Sequence, residues 1–217
     1  MQNVVPTLRY VWLTVKHKAF VFRAGLKTRA PLSRLIIHDF SKFSLAEAPH
    51  YGRQFFGDKS DPDGFAAAWL HHQNRNPHHW EYWISRTTHT RSTLTSQGSK
   101  HEGGEEILPM PEWAVREMVA DWMGASRAYG GAWPETVGGW NWLNDNWFKI
   151  SSRLHPATVQ IVEDVLREVF GHAYQCLACR DDDNATFGDS LGGSICYDVK
   201  CTVCEHVGRT LRQATAA

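Results

Sequence analysis

The sequence predicts an all-α protein, a bundle of amphipathic helices with a small C-terminal appendage. Three observations carry this. Apolar residues recur at three- and four-residue spacing in several long stretches, which places them on one side of a helix. Pro, Gly and Ser punctuate those stretches where helix ends are expected. All five Cys lie after residue 175, four of them in two CxxC pairs, and the composition shifts there. With 217 residues the chain divides into a helical domain over 1–171 and a tail over 172–217.

The first helix is expected over 7–24, where Leu8, Val11, Trp12, Val15, Ala19 and Phe22 give an apolar face that His17 partly shares, with Gly25 as a stop. A second starts at Pro31 and carries His38 at its end, because Pro suits the first turn. A third covers 44–56, with Ser44 and Glu47 spaced as a capping box. Residues 64–73 form a fourth, with Phe65, Ala68, Trp69 and His72 on one side. Asn76-Pro77 restarts a helix carrying His78, His79, Tyr82 and Trp83, with Asn76 as its cap. Residues 85–108, rich in Ser, Thr and Gly, read as a long loop with room for a short hairpin, either mobile or functional, and a candidate lid over the substrate. Helices follow from about 110 to 129, near 141–149 and over 156–170. The first buries Val115, Met118, Val119 and Trp122, and the last Val159, Val162, Val165, Leu166 and Val169.

Composition narrows the function classes. Hydrophobic residues at 42% supply a core and exclude a disordered chain. Lys+Arg and Asp+Glu are equal at 23 each, which speaks against a broad polyanion-binding groove, so a nucleic-acid partner is possible but not favoured. No apolar run reaches about eighteen residues, and Lys16, His17 and Lys18 interrupt the first apolar stretch. The expectation is a cytoplasmic protein with no membrane partner. The sequence leaves the oligomeric state open. The ten Trp are assigned to packing, not to ligand binding.

The chemistry-bearing residues are spread along the helices. His38-Asp39 ends an apolar run, where an imidazole and a carboxylate are costly unless paired or bound to a metal. His17 precedes it, His71-His72 and His78-His79 follow, and Glu117 and Asp121 lie one turn apart further on. Imidazole nitrogens and carboxylate oxygens on rigid helices are what a divalent ion needs. His17, His38, Asp39 and Asp121 form one expected ion site. His72 with His78 or His79 would complete a second, bridged by Asp39. His72 is preferred to His71, and His79 slightly to His78, with both pairs left open. Lys42, one turn beyond the dipeptide, could meet a phosphate oxygen. Glu117 is expected to orient a His ligand and to serve the catalytic machinery alongside Asp39 and Lys42.

Three segments, Leu35–Tyr51 (LIIHDFSKFSLAEAPHY), Phe65–Trp83 (FAAAWLHHQNRNPHHWEYW) and Met110–Ala125 (MPEWAVREMVADWMGA), resemble the HD-domain metal-dependent phosphohydrolase superfamily. More closely, the chain is similar to an uncharacterised HD-like family of bacteria and their phages, over roughly residues 8–150. The resemblance implies an all-α HD-type bundle and a metal centre that takes Mn, Fe, Co, Ni, Mg or Zn. Many HD enzymes place Gly before the Lys that follows the HD pair, whereas this chain has Ser41. The expected activity is hydrolysis of a nucleotide or other small phosphate ester. The alternatives are a di-iron HD-type oxygenase and a non-catalytic regulatory binding protein of phage or bacterial origin.

In the tail, Cys176, Cys179, Cys201 and Cys204 have the spacing of two zinc knuckles. This predicts a closed four-cysteine zinc site stapling a ribbon too short to fold on a core alone. Cys196 is expected to be an ordinary thiol.

Overall fold

A computed structural model describes residues 4–85, 99–100, 106–171, 185–187, 196–201 and 207–211. The chain is mostly helical, as expected. Its helices are α1 (Val4–Thr28), α2 (Leu32–Ile37), α3 (Ala48–Phe56), α4 (Pro62–Gln73), α5 (Glu112–Gly130), α6 (Asn141–Ser151) and α7 (Pro156–Phe170). Short 3-10 turns lie at Phe40–Phe43 and Trp80–Trp83. Strands β1 (Ile84–Ser85), β2 (Ser99–Lys100) and β3 (Glu106–Ile107) form a small antiparallel sheet with β3 in the middle. In the tail, β4 (Ala185–Phe187), β5 (Cys196–Cys201) and β6 (Val207–Leu211) form a second antiparallel sheet.

The core gathers around α5. Ala114, Val115, Met118, Val119 and Trp122 are buried there against Val21 and Ala24 of α1, Leu143 and Trp147 of α6, and Val162, Val165 and Leu166 of α7. The apolar spacing of α5 and α7 therefore reports their buried sides correctly. A smaller cluster of Tyr10, Ala48, Tyr51 and Ala68 joins α1 to α3 and α4. The C-terminal end of α1 is tied to α5 by the Thr28 hydroxyl, which donates to the Arg116 carbonyl at 2.9 Å. The Arg116 guanidinium returns a bond to the Thr28 carbonyl at 2.7 Å.

Several local expectations are corrected. In α1 the buried stripe is Tyr10, Thr14, His17, Val21, Ala24 and Thr28, while Leu8 and Trp12 are 62% and 61% exposed. The helix is apolar on two sides, and counting apolar residues selected the outer one. Gly25 does not stop α1 but continues it, because a Cβ there would lie 2.3 Å from Leu35 Cδ2 and only Gly lets α2 pack so close. Ser44 and Glu47 form no capping box. The helix begins at Ala48, and the Glu47 carboxylate is drawn to His71 and His72 instead. No α-helix restarts at Pro77: His78 and His79 lie in a turn before the 3-10 segment, and Asn76 donates back to the His72 carbonyl at 2.8 Å.

Gly124 sets the spacing of α1 and α5. A Cβ there would lie 2.6 Å from Val21 Cγ2 and 2.8 Å from the Val21 backbone nitrogen, so the two helices approach backbone to backbone at this level. His17 stands one turn before Val21, and Asp121 nearly one turn before Gly124.

Candidate metal centre

His38 and Asp39 are not helical, contrary to expectation. Helix α2 ends at Ile37, His38 turns to φ −46 and ψ 130, and Asp39 takes a left-handed backbone at φ 54. Asp tolerates that region better than most residues. The turn sets both side chains inward, where both residues are fully buried. His17 arrives from α1, Asp121 from α5, His72 from the end of α4, and His78 and His79 from the turn after it.

Two groups of ligand atoms meet at Asp39. On the Oδ2 side, His17 Nε2 lies at 3.4 Å and His38 Nε2 at 3.5 Å, and Asp121 Oδ1 is 2.9 Å and 3.3 Å from the same two nitrogens. On the Oδ1 side, His72 Nε2 lies at 3.2 Å and His78 Nε2 at 3.4 Å, with His79 Nε2 2.8 Å from His72 Nε2. An ion with ligands at about 2.1 Å sets neighbouring donor atoms roughly 3.0 Å apart if octahedral and roughly 3.4 Å apart if tetrahedral. The observed edges, 2.8–3.5 Å, bracket those values. Nε2 of His17, His38 and His78 and Oδ1 of Asp39 are buried with no hydrogen-bond partner. Buried polar atoms are rarely left so, and orphans gathered on the two sides of one carboxylate fit cations there. His71, by contrast, turns to Glu47 at 2.7 Å, so His72 is the residue brought into the cluster, and both His78 and His79 reach it.

The far nitrogens are held from behind. Glu117 Oε1 accepts from His38 Nδ1 at 3.0 Å and lies 3.2 Å from His78 Nδ1, while Arg34 Nε donates to Glu117 Oε2 at 2.9 Å. Glu47 Oε2 accepts from His72 Nδ1 at 3.0 Å. A carboxylate on Nδ1 fixes the tautomer that leaves the Nε2 lone pair facing the cluster. Sequence reasoning missed Glu47 and Arg34 here. A signal existed for Glu47: no Lys or Arg stands three or four residues from it, so its partner had to come from elsewhere.

Electrostatics follow from this crowding. Burial alone would raise the carboxyls of Asp39 and Asp121, but the surrounding histidines, with Lys42 for Asp39, hold both well below the usual range. Burial likewise opposes ionisation of Glu117, and His38 and His78 bring it down to about 2. Burial would lower His17 and His38, yet the adjacent carboxylates raise both. Burial together with His78 and His72 pushes His79 well down, so it stays neutral. Ionised carboxylates facing imidazoles give a centre that accepts cationic charge, from protons or from a metal that displaces them.

Lys42 Nζ lies 2.5 Å from Asp39 Oδ2. It lines an open cavity of about 360 Å³ over the cluster, together with His79, Asp121, Tyr10, Trp69 and Tyr129. Glu117 lies on the opposite side of the histidines and does not line this cavity. The expected lid falls largely on 86–98 and 101–105, outside the described residues. Cys176, Cys179 and Cys204 also lie outside them, and Cys201 is described by its backbone alone.

Helices that converge a buried His/Asp/Glu cluster on one open cavity define a helical protein with a candidate metal centre. The chain belongs to the family described as a family of unknown function (DUF5662), which matches residues 8–168. That span contains every residue of the cluster and none of the Cys. No curated protein and no solved structure matches the chain. Among the described residues, no helix is long and apolar enough to cross a membrane.

Proposed function

We propose that the protein is a metal-dependent phosphohydrolase of HD type acting on a small phosphate ester. The observation that carries this is the split of Asp39, whose two carboxylate oxygens each face a separate group of ligand atoms, with orphaned imidazole nitrogens in both groups. His17, His38, Asp39 and Asp121 would hold one ion, and Asp39, His72, His78 and His79 a second. Paired divalent ions supply Lewis acidity and lower the pKa of water. The protein's own part is positional. Glu117 and Glu47 keep Nε2 of His38 and His72 aimed inward, and Lys42 keeps a fixed positive charge at the cavity floor, where a phosphoryl oxygen would sit. Burial of Lys42 opposes that charge, but Asp39 holds it protonated well above its ordinary range. A four-cysteine zinc ribbon in the tail belongs to the same proposal, as a structural staple.

The test is phosphate release from a panel of monoesters and diesters with Mn, Fe, Co, Ni, Mg or Zn supplied in turn. Wild type should turn over at least one ester in a metal-dependent way. Asp39→Asn should lose both turnover and bound metal while its circular dichroism stays helical. Full metal occupancy with no hydrolysis of any ester would refute the reading. The donor set, five imidazoles and two carboxylates, also suits iron. A di-iron oxygenase is therefore the second reading, and iron co-purifying with an optical band that responds to O₂ would favour it.

A further inference from the structure

A second cleft, of about 540 Å³, opens beside the metal-site cavity and shares Trp122, Ala125, Tyr129 and Trp142 with it. Trp133 and Trp140 join the shared aromatics in its lining, beside small residues and Asn141, and no Asp, Glu, Lys, Arg or His lines it. Trp142 stands 44% exposed at the junction, with its ring 5.8 Å from Trp122 and 6.3 Å from Trp140, so it does not serve the core. Ser126 is already committed: its hydroxyl donates to the Trp122 carbonyl and accepts from Trp140 Nε1, both at 2.9 Å. Gly130 is in the lining, and a Cβ there would meet nothing within 4 Å, so a side chain can be added at this rim without a clash. The two spaces thus join a charged chamber, with Lys42 and Asp121, to an uncharged aromatic one.

We propose that this cleft is the specificity subsite of the phosphohydrolase proposed above, and that it takes an uncharged planar ring joined to the phosphate ester. Aromatic rings stack on any flat π system, and a lining without charged side chains favours an uncharged ring. A nucleobase and a carbocyclic aryl group share this chemistry. Trp142 acts as a positioning residue that sets the ring's place relative to the reacting end.

Calorimetry on the metal-loaded full chain tests this with four probes: inorganic phosphate, 1-naphthyl phosphate, adenosine 5′-monophosphate and uncharged 1-naphthol. At least one ring-bearing phosphate should bind about tenfold or more tighter than inorganic phosphate, as one stacking contact supplies. Which one does so separates aryl from nucleobase. Gly130→Phe adds bulk at the cleft's rim and should reduce that advantage without changing inorganic phosphate binding or metal content. Trp142→Ala should erase the advantage, and Trp142→Phe should restore it. Because Trp142 is nearly half exposed, its variants remain informative if Gly130→Phe fails to fold. Equal binding of ring-bearing and inorganic phosphate in wild type, or an advantage that survives both Gly130→Phe and Trp142→Ala, would overturn the proposal. Binding of 1-naphthol that Gly130→Phe weakens, in a protein that hydrolyses no ester, would keep the aromatic cleft and remove the phosphohydrolase reading alone.

Discussion

Replacing Gly124 by alanine tests whether the approach of α1 and α5 positions the metal centre. The new Cβ would lie 2.6 Å from Val21 Cγ2 and 2.8 Å from the Val21 nitrogen. Carbon contacts settle near 3.5–4.0 Å, so the helices must separate by about 1 Å at this level. Overpacking of this kind costs about 1–3 kcal/mol, and the better helix propensity of alanine offsets about 1 kcal/mol of it. The net loss is about 0–2 kcal/mol, or a fall in Tm of up to about 8 °C for a domain of this size. The effect on metal should be larger. Coordination tolerates about 0.2 Å of error, and the displaced helices carry His17 and Asp121, one from each side of the same group. The His17/His38/Asp39/Asp121 group should therefore lose affinity by about tenfold or more, while the group at His72, His78 and His79, carried on other elements, loses less. Metal stoichiometry after dialysis, read beside thermal unfolding by circular dichroism, separates the two effects. A Gly124→Ala protein that keeps its full metal complement at unchanged affinity would refute the reasoning, whatever its Tm.

Glu117→Gln should weaken metal binding by about 10–100-fold, measured by competition with a chelator, because it slackens the hold on His38 and His78. Met118→Ala, one position away but packed in the core, should cost about 2–5 kcal/mol in urea unfolding and leave metal affinity nearly intact. Glu117 also predicts a pH dependence of the metal-free protein. Its folded pKa, about 2, lies below the ordinary 4.5, so its contribution is complete above about 4.5 and is lost as pH falls from there through about 2. Acid titration of stability should show that slope in wild type and a shallower one in Glu117→Gln.

The helices were legible wherever apolar spacing had one solution. In α7 the periodic side is the buried side, because polar residues cover the rest, and in α5 the periodic residues are buried along with almost all of Ala114–Gly124, Glu117 included. In α1 two apolar stripes compete, and nothing local says which one His17 and Thr14 accompany into the core. The cluster itself was legible because imidazoles and carboxylates in apolar runs need a common partner. His71 and His72 could not be told apart by that rule. What separates them is Glu47, whose two oxygens take one histidine each, a contact made 24 and 25 residues away. The turn at His38-Asp39 was read as helix because its apolar approach is helical and the left-handed residue is an Asp, not a Gly. The aromatic cleft was missed because a Trp count carries no geometry.

The left-handed backbone of Asp39 gives that position two masters. Selection for folding asks only for a residue at ease at φ 54, which admits glycine and asparagine beside aspartate. Selection for the metal centre asks for two equivalent oxygens facing opposite ways, which a longer glutamate offers only from a strained backbone. The two lists share one member. A library randomised at this codon should return aspartate alone when screened for bound metal. It should return aspartate, asparagine and glycine when screened for soluble, helical protein.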